Sequence, residues 1–325
     1  MAAAVEPAHH PIHDSELIQF EQVFAKDELD GLEQNLVIRG WRSPVRGRPL
    51  IHFLHGNGFC ASVYWQMLAP LVCDSDGQQA PFDCILTDLQ GHGESEAGSH
   101  FLGWNGNASL ATAVIESVAA EFGEVTRYAI GHSFGGVLTA MLCSRNPKLF
   151  SRAVLLDPVL FTPVMINLLR VQKFFLPRYR TPFSQKALKR RDHWNSFQQA
   201  ADSLRGRGIY KGWCEASLQD FILGALEARE ERGTVALRCP TWLESDIFNS
   251  VPFGLWRDIK RSETPTRILY GERSYPFVAK AARLAAKQNS HFSYRELPGG
   301  HCFMQEDPEL ARNELLQALS SHPAY

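Results

Sequence analysis

The run Tyr128-Ala129-Ile130-Gly131-His132-Ser133-Phe134-Gly135-Gly136 decides how this chain folds. Its first three residues read as the end of a buried strand, and a helical run follows that stops at Asn146-Pro147. Between them lies G-x-S-x-G, the pattern of a strand that turns sharply into a helix at the serine. Such a turn strains the backbone at Ser133 and leaves no room for side chains at Gly131 and Gly135, while Gly136 lets the helix pack closely. The Ser133 hydroxyl is then presented at the carboxyl edge of a sheet. The helix beneath offers free N–H groups and its positive dipole end to a developing oxyanion. The five-residue pattern is common by chance; a flanking strand and helix make it specific.

Outward from this turn, short apolar runs at 49–54, 83–87, 127–130, 152–156 and 267–270 are bounded by Gly, Asp or Pro and do not alternate. Strands buried on both faces of a parallel sheet read this way. Earlier runs at 17–24 and 35–41 predict an antiparallel start to the sheet. Helical spacing appears at Leu110, Ala113, Val114, Ser117 and Val118, with Ser109 as a candidate cap and Gly123 as the stop. Another helix is predicted from Asp307-Pro308, where Asp can cap and Pro can sit first. The alternation predicts an α/β fold, a mostly parallel central sheet flanked by helices.

From 162 to 261 the alternation stops. This stretch contains no convincing buried strand but several helical patterns, which predicts an inserted helical cap between core segments 1–161 and 262–325. One helix is expected over 184–204. Another is expected over 217–229, with Ser217 and Asp220 as a capping-box-like start. The basic run 186–191 and the acidic run 227–231 read as solvated helix faces.

A serine hydroxyl is a poor nucleophile at neutral pH and needs a base, which histidine is best suited to be. His301 is the candidate, in the turn Leu297-Pro298-Gly299-Gly300-His301 after an apparent strand over 292–297. The oxyanion needs backbone donors. Strand 50–54 runs into His55-Gly56-Asn57-Gly58, so the amides of Asn57 and of Phe134, the residue after the serine, are the expected pair.

With these pieces in order the chain resembles the α/β-hydrolase superfamily, in its capped esterase, lipase and carbon–carbon hydrolase branch. Asp88-Leu89-Gln90-Gly91-His92-Gly93-Glu94-Ser95 is similar to that branch's D-x-x-G-x-G-x-S loop. Gly300-His301-Cys302-Phe303 with Glu306-Asp307-Pro308 is similar to its histidine loop. The resemblance covers most of the chain and implies that Asp88 and His92 are structural loop residues.

The resemblance also implies a carboxylate that orients the histidine, most commonly just after the strand at 267–270. There this chain has Gly271-Glu272-Arg273-Ser274, so Ser274 stands where the acid is expected. Some relatives, the haloalkane dehalogenases among them, take the acid from the end of the strand before the cap. That strand ends Leu155-Leu156-Asp157-Pro158, which makes Asp157 the preferred acid and Glu272 the alternative. The implied reaction is hydrolysis of an ester, thioester or lactone of a small to medium, hydrophobic substrate. Two other readings stay open, a carbon–carbon bond hydrolase of dienoic ketones and a non-catalytic ligand-binding member prompted by Ser274. Phe161, Met165, Leu169, Phe174, Phe175, Trp213 and Phe221 are available to line an apolar pocket, although most read as cap core.

Composition fits a globular protein acting on a small molecule. The 325 residues are 45% hydrophobic and 21% charged, with a net charge of -2 and a pI near 6.6, so no field invites nucleic acid. No run approaches the ~20 apolar residues of a membrane span, and the opening residues lack the apolar core of a signal peptide. Seven cysteines without a CxxC pair suit a reducing cytoplasm. His9, His10 and His13 are a weak possible metal group in a tail expected to be unpacked. No dinucleotide, Walker or HExxH pattern occurs, so neither cofactor nor metal is expected. No feature indicates a particular oligomer.

Overall fold

The computed structural model describes residues 10–75 and 77–320. The unbroken apolar runs become strands of an eight-stranded sheet. β1 (Ile18–Phe24) and β2 (Leu36–Arg42) form its antiparallel start, and β3 (Leu50–Leu54) leads through α1 (Trp65–Val72) to β4 (Asp83–Thr87). Every residue of β3 and β4 is buried, as strands covered on both faces must be. Next come α2 (Gly103–Ala119), β5 (Arg127–His132), α3 (Ser133–Arg145) and β6 (Arg152–Leu156). Helix α2 starts six residues before the expected cap. Ser109 lies inside it with its hydroxyl on the Asn105 carbonyl, because Trp104 and Ala108 extend the buried face toward the N-terminus.

The segment between β6 and the next core strand departs from the all-helical expectation. It holds α4 (Pro163–Phe175), α5 (Pro182–Leu188), β7 (His193–Trp194), α6 (Phe197–Leu204), α7 (Glu215–Gly224), β8 (Leu226–Arg229), β9 (Thr234–Leu237), α8 (Thr241–Phe248) and α9 (Leu255–Arg261). Its strands form a separate antiparallel sheet in the order β7-β9-β8. Strands of two to four residues are too short to show a period in sequence. The helix expected over 184–204 is two helices, since Ser196 caps α6 by accepting from the Gln199 amide at 3.1 Å. The helix expected over 217–229 ends at Gly224. Ser217 is buried inside it, and Asp220 accepts from Gln66 at 3.1 Å instead of capping. Helix α9 packs against α3, where Arg145 pairs with Asp258 at 3.0 Å.

The chain returns through β10 (Thr266–Gly271), α10 (Pro276–Gln288), β11 (Phe292–Leu297), α11 (Phe303–Glu306) and α12 (Pro308–Ser320). Asp307 caps α12 by accepting from the Leu310 amide at 2.9 Å. The large sheet runs β1-β2-β4-β3-β5-β6-β10-β11 and is parallel from β4 to β11. Apolar clusters cover both of its faces. Among the described residues, no helix is long and apolar enough to cross a membrane.

The N-terminal histidines differ from the unpacked expectation. His10 is buried, accepts from the Ile12 amide at 3.0 Å and lies 3.3 Å from Asp220, while the His13 ring packs edge-on against Trp41. His9 lies outside the described residues.

Candidate active site

The sharp turn at the end of β5 has the backbone its sequence requires. Ser133 has φ 53°, and a Cβ at Gly131 or Gly135 would press into Thr139, the Gly135 backbone, or the carbonyls of Leu54 and His55. The Gly135 amide donates to the His55 carbonyl at 3.1 Å, which ties the turn to the end of β3. The neighbouring strand ends in a matching way. β5 and β6 pair His132 with Leu156, so Ser133 and Asp157 each sit one residue beyond the same rung. Asp157 also leaves at positive φ, 42°.

His301 stands between these two residues. Its Nε2 is 3.0 Å from Ser133 Oγ, and its Nδ1 is 2.7 Å from Asp157 Oδ1. Asp157 is fully buried, and a buried carboxylate must be hydrogen-bonded or it is costly. Oδ2 accepts from the Gly271 amide at 2.8 Å, and Oδ1 also accepts from the Ser274 hydroxyl. A carboxylate accepting at Nδ1 fixes the histidine tautomer that leaves Nε2 free to take a proton. Glu272 is not part of this group. Its half-exposed side chain turns outward to Arg273 at 2.7 Å.

Of the two expected oxyanion donors, Phe134 follows Ser133 directly, and Asn57 follows Gly56, where an added Cβ would lie 3.3 Å from the Ser133 Cβ. The neighbouring amides are already engaged, Gly56 with the Tyr64 hydroxyl at 3.0 Å and Gly58 with His92 Nε2 at 2.9 Å. Among the described residues, no acceptor takes the amides of Asn57 or Phe134. The Asn57 side chain donates to the Glu244 carbonyl at 3.1 Å, holding the turn against α8.

Buried polar residues brace the turn from below. His92 donates from Nδ1 to the Gln90 carbonyl at 2.8 Å and accepts the Gly58 amide, and His55 accepts the Leu89 amide at 2.8 Å. Asp88 accepts from the amides of Ala61 at 2.8 Å and Glu94 at 3.0 Å. Burial raises its carboxyl to about 6 and lowers His92 to about 4. A second bracing chain follows no sequence motif. Tyr64 donates to His132 Nδ1 at 2.6 Å, and His132 Nε2 donates to the His301 carbonyl at 3.0 Å. Burial, then the nearby His301, hold His132 well below the ordinary histidine range. His132 is the variable position of the serine pattern and Tyr64 belongs to no motif, so only their buried polarity marks them.

Rings wall the site on one side. Phe134 packs on Trp104, Trp104 on Phe161, Phe161 on Phe277, Phe277 on Tyr275 and Tyr275 on His301, with centroids 4.7–6.0 Å apart. On the other side Phe59 stacks on His132 and meets Trp213 edge-on. Of the pocket candidates, Phe161 and Trp213 thus stand near the site, and Phe221 is buried core. Met165 and Leu169 are partly buried on α4. Phe174 and Phe175 are corrected: they are 80% and 71% exposed and line nothing. Among the described residues, no group of three His, Cys, Asp or Glu is placed to hold a metal.

The model of the alpha/beta hydrolase family matches residues 53–313. The peroxisomal membrane protein LPX1 of Saccharomyces cerevisiae is 32% identical over 131 residues, 37% of this chain and 33% of that protein, so the match spans about a third of the relative's length. The structure of the peroxisomal alpha-beta-hydrolase Lpx1 from the same yeast superposes with a TM-score of 0.70 at 19% identity, covering 94% of this chain and 88% of that one. E-2-(acetamidomethylene)succinate hydrolase gives 0.67 at 17% identity, with 94% and 100% covered. The thioesterase domain from the curacin biosynthetic pathway gives 0.64 at 18%, with 92% and 99% covered. At these identities the structures speak for the fold alone. The family match, which spans most of the chain, goes further: this protein belongs to the alpha/beta hydrolase family.

Proposed function

We propose that this hydrolase is a serine enzyme that cleaves an ester, thioester or lactone through an acyl-enzyme. The observation that carries the reading is the unbroken hydrogen-bond line from Ser133 through His301 to Asp157. Ser133 Oγ attacks the substrate carbonyl as His301 Nε2 takes its proton. The carbonyl oxygen becomes an oxyanion held by the amides of Asn57 and Phe134, each such donor being worth roughly 10²–10³ in turnover. His301 then returns the proton to the departing alcohol or thiol. Water, deprotonated by the same nitrogen, releases the acid and restores Ser133. Asp157 keeps the imidazole in its tautomer and stabilises its charged form.

Residues 162–261 act as the cap over this site, and the ring wall favours an apolar acyl group. Seven unpaired cysteines suit a reducing compartment, and we assign the chain to the cytoplasm, although the yeast relative is named for the peroxisomal membrane. Imaging of the tagged full chain tests that assignment.

Two measurements test the chemistry. A fluorophosphonate probe should label Ser133 in folded protein and fail to label Ser133→Ala. A series of p-nitrophenyl esters of rising chain length should show turnover that rises with acyl length. A folded wild-type protein that neither labels nor hydrolyses any ester would favour a ligand-binding role instead.

A further inference from the structure

We propose that the outer face of α4 is a docking surface for anionic lipid membranes. Ile166 is the only fully buried residue of this helix. The opposite side carries Val164, Leu168, Val171 and Phe175 at spacings of four, three and four residues, a single stripe along the helix. Phe174 and Leu176 extend it at the C-terminal tip. All six are more than half exposed, Val164 at 76% and Phe174 at 80%. A contiguous apolar patch of this kind is rare on a surface that meets only water. Phe253 widens it. Arg170 lies over that ring at 5.3 Å and donates to the Pro252 carbonyl at 3.0 Å, which fixes the helix beside it.

Charge says what covers the patch. From Pro158 to Arg191 the only charged residues are Lys and Arg, eight of them, although the whole chain is slightly acidic. Lys173, Arg178, Lys186 and Lys189 are exposed and form no ion pair among the described residues. A recess of about 550 Å³ opens beside the tip of α4, lined by Lys173, Arg178 and Arg180. Its one carboxylate, Asp246, is already paired with Arg180 at 3.0 Å. An apolar stripe flanked by cations is the pattern of a helix lying in the boundary of a negatively charged bilayer, rings in the acyl region and cations at the headgroups. A second copy fits poorly, because it would set one basic face against another. Helix α4 begins two residues after Phe161 of the ring wall, so docking would hold the candidate active site just above the lipid.

The test is co-sedimentation of the full chain with phosphatidylcholine vesicles prepared with and without phosphatidylserine. The wild type should sediment with the anionic vesicles and stay largely in solution with the neutral ones, and binding should weaken as salt rises. The double variants Phe174→Ser/Phe175→Ser and Lys173→Glu/Arg178→Glu should each lower partitioning at least about tenfold. Both should hydrolyse a soluble ester like the wild type, which shows that they fold. Wild-type protein that stays in solution with anionic vesicles overturns the proposal. So do variants that bind as well as the wild type, or a wild-type dimer in solution that the Phe variants dissolve. Binding needs no turnover, so failure here leaves the chemistry of Ser133 untouched.

Discussion

The Ser274 hydroxyl donates to Asp157 Oδ1, the same oxygen that accepts from His301 Nδ1. Ser274 occupies the place where a carboxylate is expected after β10, yet it serves the carboxylate that stands after β6. The two strands pair directly, Leu269 opposite Leu156, so either end can supply an acid to the same histidine. The hydroxyl fills the space a second acid would take and adds a donor to a buried charge.

Replacing Asp157 with Asn should therefore lower kcat/KM for a p-nitrophenyl ester by on the order of 10⁴, following the serine-protease precedent. Glu272→Gln should leave it within about twofold, because Glu272 faces solvent. Steady-state kinetics on both variants decide the matter, and full activity in Asp157→Asn would remove that residue from the mechanism.

Ser274→Ala takes away one of three donors to Asp157. A hydrogen bond to a charged group contributes about 1.5–3 kcal/mol, so turnover should fall roughly ten- to a hundredfold with little change in KM. A drop as deep as that of Asp157→Asn would mean that Ser274 does more than support the acid.

Tyr64→Phe removes the hydroxyl that receives the Gly56 amide and donates to His132. Leaving both groups buried without a partner should cost about 1–3 kcal/mol in urea unfolding. Turnover should fall as well, since this chain links the Gly56-Asn57 turn to the backbone of His301. Unchanged stability would show that water replaces the hydroxyl at no cost.

Acid should unfold the protein early. His52, His55, His92 and His132 are buried, and burial pushes each below the ordinary histidine range, His92 to about 4 and His52 to about 3. In the unfolded chain each takes up a proton near 6.5. Between that pH and about 4 the unfolded state binds more protons, so each histidine removes up to about 1.4 kcal/mol of stability per pH unit of acidification. Asp88, raised to about 6 by burial, shifts the other way and offsets one of the four. Thermal melts should be level above pH 7 and decline steeply below about 6.5. A Tm that holds constant down to pH 4.5 would contradict this.

Much of the framework is legible in the sequence. Buried parallel strands announce themselves as unbroken apolar runs, and the glycines around Ser133 are demanded by backbone packed against backbone. Ser133 and His301, read from turns at strand ends, and Asp157, preferred over Glu272 on the resemblance to relatives that take their acid before the cap, are joined through His301 at hydrogen-bond distance. The strands of the insertion were hidden because two to four residues carry no period. Phe174 and Phe175 are exposed where the interior is expected, because apolar residues are assigned to the interior by default and a stripe reads the same whether it faces inward or outward. Tyr64 and His132 escaped because their bracing spans 68 residues of sequence and follows no motif.

The shared rung beneath Ser133 and Asp157 gives this site an uneven mechanical character. Two of its three members stand like posts set in one foundation, their spacing fixed by the ladder between β5 and β6. The third is carried by the Gly299-Gly300 turn, which the Arg273 amide, the Glu306 carboxylate and the His132 ring hold at the Gly299 carbonyl, the Gly300 amide and the His301 carbonyl. The alignment of His301 therefore rests on side chains gathered around a turn, where that of Ser133 and Asp157 rests on a ladder. In the proposed reaction the one nitrogen carried on that turn faces first the attacking serine, then the departing group and finally water.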